Sequence, residues 1–177
     1  MSKIGRKPIS TQGLTVTVDG QIVSYKGTNK SGTYALPDCL NITFENDAIK
    51  LGLTNPADKK NNNVWGLHRA LLNNELFGAQ QDFTKDVVIV GLGYKGELKG
   101  DTIVFSLGYS HKIDFKLPKD VSVVIDKTGQ NITIRSSSKF LVGDVAQRIC
   151  ALRRPEPYKG TGVLLKGEVI HRKTGKS

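Results

Sequence analysis

Three short segments of this 177-residue chain hold residue types that could do chemistry. Gly91-Leu92-Gly93-Tyr94-Lys95-Gly96 fits G-x-G-x-x-G, the spacing that lets a backbone approach a dinucleotide pyrophosphate. Ser110-His111 sets a hydroxyl beside an imidazole, the two groups from which a hydrolase draws its nucleophile and base. Arg153 to Val163 reads R-R-P-E-P-Y-K-G-T-G-V, which gathers guanidinium forks, an aromatic face, a lysine and two glycines.

The first two patterns lack the context their chemistry needs. A dinucleotide site requires a helix N-terminus directly after the glycines, so that backbone N-H groups and the helix dipole meet the phosphates. Here the residues after Gly93 alternate as a strand and turn at Gly100-Asp101, so the pattern predicts a strand turn or bulge. Adjacency alone does not join Ser110 and His111, because a nucleophile and its base need a side-chain hydrogen bond and a third, orienting group. His68, His111 and His171 are the only histidines and none stands at metal-ligand spacing. His68, on an apolar helix face, reads as a packed core residue. Cys39 and Cys150 form no C-x-x-C pair and read as buried free thiols. No cofactor or metal is implied. A small nucleotide-binding or hydrolytic enzyme built on the Gly91 to Gly96 turn or the Ser110-His111 loop stands as the alternative reading.

The third segment sits in the part of the chain that holds most of the charge. The formal net charge is +10. From Arg148 to Ser177 there are eight basic residues against Glu156 and Glu168, and Lys3, Arg6 and Lys7 add three more at the other end. Residues 8–147 are nearly neutral. Cations clustered at two ends of a neutral body point to a polyanionic partner, because displaced counterions reward such clustering. Pro155 and Pro157 predict a stiff, extended backbone, with Gly160 and Gly162 allowing close approach to folded RNA. Leu164 and Leu165 offer little to anchor it, so the segment after Arg153 is expected to be an unordered basic tail until it meets its partner. A DNA-binding or membrane-surface module is disfavoured, since no helix reads as a basic recognition helix or carries a cationic face along its length. No run reaches the apolar length of a membrane span, and the N-terminus lacks a signal peptide's hydrophobic segment. The expectation is a protein used inside a cell or organelle.

The elements that position these segments occur twice in the same order. Alternating residues predict strands at Leu14 to Val18, Ile22 to Tyr25, Thr33 to Leu36, Leu40 to Phe44 and Ile49 to Leu53. A helix follows, with Val64, Leu67, His68, Leu71, Leu72 and Leu76 at helical spacing, N-caps from Asn61 to Asn63 and a stop at Gly78. The second half repeats this with strands at Val87 to Val90, Tyr94 to Lys99, Thr102 to Leu107, Lys112 to Leu117, Val121 to Ile125 and Asn131 to Arg135. Its helix has the stripe Leu141, Val142, Val145, Ala146, Ile149 and Leu152, a cap at Ser138 and a stop at Pro155. Leu36-Pro37 matches Leu117-Pro118, and Trp65-Gly66 matches Val142-Gly143. The fold class is therefore α+β: two tandem copies of a small, mainly antiparallel sheet with one helix packed on it, over 1–82 and 83–152, followed by a basic tail over 153–177.

Four segments then carry a family resemblance over the whole chain, in order: Ser2 to Ile9, Val90 to Lys95, Leu107 to His111, and Arg154 to Gly160. They resemble the universal L-six family of bacterial-type large-subunit ribosomal proteins. That resemblance implies a structural, non-enzymatic component of the large ribosomal subunit. It implies binding of large-subunit rRNA near the sarcin-ricin loop, with neighbouring ribosomal proteins and translational GTPases as partners, on a cytoplasmic or organellar ribosome. Carried onto matching positions, Tyr158, Lys159 and Gly160 are rRNA contacts, as are Lys95 and Tyr109, Ser110 and His111. The basic tail adds Arg153, Arg154, Lys166, Arg172, Lys173 and Lys176. The chain departs from the family pattern at Thr161, usually Lys, and at Leu164-Leu165, usually Arg-Tyr. The polar run Lys59, Lys60 and Asn61 to Asn63 also departs from it. Equilibrium dialysis against NAD or ATP decides between this reading and the enzyme; the expected result is no binding of either, and micromolar binding would restore the alternative.

Overall fold

The computed structural model describes residues 2–45, 47–55 and 61–175. The expectations for Lys59, Lys60 and Lys176 lie outside the described residues. The chain divides into two compact units, Met1–Asp82 and Phe83–Ser177.

In the first unit, alternation of Leu14, Val16 and Val18 with threonines makes β2 (Thr15–Asp19), which turns at Gly20 into β3 (Ile22–Lys26) and on to β4 (Ser31–Ala35) as one antiparallel sheet. A second sheet has β6 (Ala48–Leu53) between β5 (Leu40–Glu45) and the short β1 (Ile9–Ser10). Helix α1 spans Asn62–Gln80. Its inward side is Trp65, Leu72, Leu76 and Ala79, while Leu67 and Leu71 are exposed despite their helical spacing. Gly78 lies inside the helix, which runs to Gln80 because this glycine is buried and needs no left-handed turn. The basic N-terminal segment is held down: Arg69 donates to the carbonyls of Lys7 and Pro8, and Gly5 lies so close to the Trp65 ring that a Cβ there would fall 2.6 Å from it. His68 meets the Tyr34 hydroxyl at 2.8 Å, a packed histidine.

The second unit repeats this order. β8 (Lys95–Lys99), β9 (Thr102–Ser106) and β10 (Ile113–Lys116) form one sheet, and β11 (Ser122–Ile125), β12 (Asn131–Ser136) and β7 (Phe83–Val90) form the other. Matching turns use matching bonds. Leu36 N-H donates to Gln21 and Leu40 N-H to Pro37, as Leu117 N-H donates to Asp101 and Val121 N-H to Pro118. Each unit thus splits its strands between two antiparallel sheets. Helix α2 (Lys139–Leu152) starts at Ser138, whose side chain accepts from the Leu141 N-H, and buries Val142, Val145, Ala146 and Ile149. It packs on the sheet of β7 and β12, whose Val87, Ile89, Ile132 and Ile134 are buried. Phe115 is buried with Arg148 of α2 over its ring at 5.3 Å, and Lys112, Asp114 and Lys116 are exposed. Burial pushes the Cys150 thiol up to about 11, which keeps it protonated.

The second unit has one strand with no counterpart in the first. β13 (Gly162–Leu165) pairs antiparallel with the free edge of β7, from Gly162 opposite Val90 to Leu165 opposite Val87. This corrects the expectation of an unordered tail. Val163 is fully buried, which stabilises the strand by about 1.5 to 3 kcal/mol, and Leu164 and Leu165 are half-buried beside it. The basic flanks masked a strand of four residues whose partner lies some seventy positions away. Gly162 has φ +153, and a Cβ there would fall 2.5 Å from the Pro155 Cα. Gly162→Ala is therefore expected to cost the second unit about 2 kcal/mol or more in urea unfolding, whereas Gly143→Ala, with nothing within 4 Å, should be close to neutral.

Candidate nucleic-acid interface

The helix end and β13 together define the loop between them. Helix α2 stops at Leu152 because Arg153 turns extended and Pro155 cannot continue a helix. Val163 N-H then donates to the Arg153 carbonyl at 2.9 Å, Glu156 N-H to Thr161 at 2.9 Å and Gly160 N-H to Glu156 at 2.8 Å. These bonds fold Arg153 to Val163 into a closed turn with residues 157–159 at its tip, not the extended ribbon that two prolines predicted. Backbone pairing to β7 overrides the local preference of proline. Chain beyond β13 comes back to the same turn: Lys173 N-H donates to the Pro157 carbonyl at 2.9 Å, and the Arg172 guanidinium packs against Gly160. Gly160, at φ +72, has no Cβ to obstruct it.

The turn therefore presents Tyr158, about half exposed, among Arg154, Lys159, Arg172 and Lys173, all exposed. Among the described residues none of these four cations is held in an ion pair. The Thr161 hydroxyl donates to the Glu156 carboxylate at 3.4 Å. Glu156 is the one acid within the turn.

A second cluster joins the base of this turn. The Arg153 guanidinium lies 4.7 Å from the Tyr109 ring centroid and 5.7 Å from that of Tyr94, within the range of a cation-π contact. Tyr109 donates its hydroxyl to the Leu152 carbonyl at 3.1 Å, and the His111 ring stacks on Tyr109 at 6.0 Å. Tyr94 is seated between two glycines. A Cβ on Gly91 or on Gly108 would fall 2.6 Å from it, and both have positive φ. The first glycine of the G-x-G pattern thus makes room for an aromatic ring, Gly93 takes a positive φ in open space, and a strand follows them. Among the described residues Ser110 and His111 share no hydrogen bond, and both are exposed.

Two further expected contacts among the described residues are held in ion pairs. Lys95 opens β8 and pairs with Glu97 at 2.8 Å. Lys166 follows β13 at the end away from the turn and pairs with Asp86 at 3.2 Å. The Thr133 hydroxyl, then the Lys166 ammonium, hold the Asp86 carboxyl below the usual carboxylate range. Tyr94, whose ring also meets the Arg153 guanidinium, was not singled out from the sequence as a site residue. An aromatic residue directly after a G-x-G turn is the signal that could have found it.

The family model described as Ribosomal protein L6 matches residues 90–165, a span that covers the Tyr94 and Tyr109 cluster, the turn and β13. The large ribosomal subunit protein uL6 of Beijerinckia indica is 39% identical over 99% of both chains. That of Koribacter versatilis is 38% identical, over all of this chain and 98% of its own. That of Bartonella quintana is 39% identical over 99% of both. Likeness of this degree from end to end takes in both units, and the chain belongs to the ribosomal protein L6 family, as a structural and non-enzymatic component of the large ribosomal subunit.

Proposed function

We propose that the chain anchors large-subunit rRNA through the turn from Arg153 to Val163, beside the sarcin-ricin loop and the docking site of translational GTPases, on a bacterial-type ribosome. The observation that carries this reading is that exposed Tyr158 shares its turn with exposed Arg154 and Lys159, that Arg172 and Lys173 return to the same turn, and that among the described residues these four cations have no ion pair, on a turn tied to the core by β13. Arg154, Lys159, Arg172 and Lys173 meet phosphates, and Tyr158 offers a face on which a base or ribose packs. Arg153 is a positioning residue that holds Tyr109 and Tyr94 together, and Ser110 and His111 extend the same surface. Lys95 and Lys166 serve as outlying phosphate contacts once their exposed ion pairs exchange, at little cost. The position beside the sarcin-ricin loop comes from the family resemblance. No described helix is long and apolar enough to cross a membrane.

The mechanism is scaffolding by a surface that is ordered before it binds. Ordering a flexible segment on binding lowers affinity, so a turn already closed by its own hydrogen bonds docks with less loss. Removing everything after Leu152 would also strip β13 from β7 and uncover the core, so point substitutions test the reading better. Tyr158→Ala/Lys159→Ala is expected to release the protein from large subunits during a high-salt wash in sucrose-gradient sedimentation, while the parent stays bound. Lys159→Ala alone should flatten the slope of log affinity against log salt by about one unit. Retention of the double variant through the wash would show that the turn is not the anchor.

A further inference from the structure

The open face of the sheet formed by β10, β9 and β8 carries ordered charge that the turn does not use. Strand register sets the order. Glu97 pairs with Val104, and Val104 with Asp114, so one row across the three strands reads Glu, Val, Asp. Two residues along, Lys99, Thr102 and Lys116 make the next row. On the other side Lys95 pairs with Ser106, and Lys112, one residue before β10, completes that row. The lysines and acids are all exposed, while Ile103, Phe105 and Phe115 fill the opposite face. Glu97 senses both lysine rows: the hydrogen bond and charge of Lys95, then the charges of Lys112 and Lys99, hold its carboxyl below the usual range.

Chemically, two rows of donors flank a row of acceptors. Ammonium and hydroxyl groups of the outer rows suit phosphate oxygens; the carboxylates between them need something that donates. Rows two residues apart along a strand are separated by about 6.7 Å, which sets the lysine rows about 13 Å apart. A-form RNA offers this order across its wide, shallow minor groove, with phosphates on both banks and 2′-hydroxyls between. We propose that this face seats on the minor groove of an RNA duplex. Lys95 and Lys112 take one backbone, Lys99 and Lys116 the other, and Glu97 and Asp114 accept from 2′-hydroxyls in the groove. An acidic protein would satisfy the lysines but leave both carboxylates facing like charge. The Lys95 to Glu97 pair is exposed and exchanges readily. The inference rests on the rRNA reading above and adds a second contact on a different sheet.

The test is fluorescence anisotropy of the full chain with a short RNA duplex and with the same duplex 2′-O-methylated, which keeps the A-form and removes the hydroxyl donors. The parent is expected to favour the unmodified duplex by about tenfold, the worth of hydrogen bonds to a charged group. Glu97→Ala/Asp114→Ala should lose that preference, and Lys99→Ala/Lys116→Ala should flatten the salt slope by about two units for both duplexes. All these positions are exposed, and an unchanged melting curve shows that each variant is folded. If the acids merely repel RNA, the first variant binds both duplexes more tightly and the inference is overturned. It is overturned equally if the variants bind the duplexes as the parent does yet wash off large subunits, which would give the face to a protein. Neither result bears on the rRNA reading, which Tyr158 and Lys159 decide; a parent chain that leaves the subunits at low salt would remove both.

Discussion

The pairing of β13 with β7 is the interaction on which the rest of the second unit's binding surface depends. Four residues complete an edge that would otherwise present unpaired N-H and C=O groups, and Val163 fills the core between that edge and α2. The first unit shows the same architecture without this strand. Because β13 runs antiparallel to β7 and starts opposite Val90, the chain between α2 and β13 has to turn back within ten residues. The turn from Arg153 to Val163 is the result of that closure. Its proline and glycine content serves the bend, with Gly162 admitting Pro155 and Gly160 admitting Arg172.

Close approach also governs the aromatic cluster. Gly91 and Gly108 accept the Tyr94 ring where any side chain would collide, and Tyr94 and Tyr109 then hold Arg153 at the helix end. A cation that contacts two rings has less freedom than one on a free stem, and Arg153 thereby fixes both tyrosines relative to the helix end. The loop from Leu107 to His111 and the turn after α2 are thereby parts of one surface, joined through the Leu152 carbonyl and the Arg153 guanidinium.

Local pattern made most of the elements legible. Alternation placed eleven of the strands, because a half-buried strand must present apolar residues at every second position. The cap at Ser138 and the stop near Pro155 bounded α2 for reasons confined to a few residues. Helical spacing alone could not say which side of α1 turns inward. Leu67 and Leu71 lie at the right period and face out, since Trp65, donating to the Leu51 carbonyl, sets the rotation of that helix. β1 and β13 were missed because neither alternates: β1 is only two residues long and Gly162-Val163-Leu164-Leu165 has no polar residue at every second position, so pairing with β6 and β7 makes them strands.

Charge at the two ends, the duplicated order of elements and the residue types of the R-R-P-E-P-Y-K-G segment are properties of the sequence by itself, and they were sufficient to point to a polyanionic partner and to the family. Composition and local pattern depend on each residue and its near neighbours, so they survive without coordinates. Only the tertiary structure decided that the basic segment is a closed turn, that Lys173 returns to Pro157, and that Lys95 and Lys166 pair with Glu97 and Asp86. Those outcomes hang on hydrogen bonds and close contacts between residues far apart along the chain. Their free energy depends on which strand edge is left open to receive them.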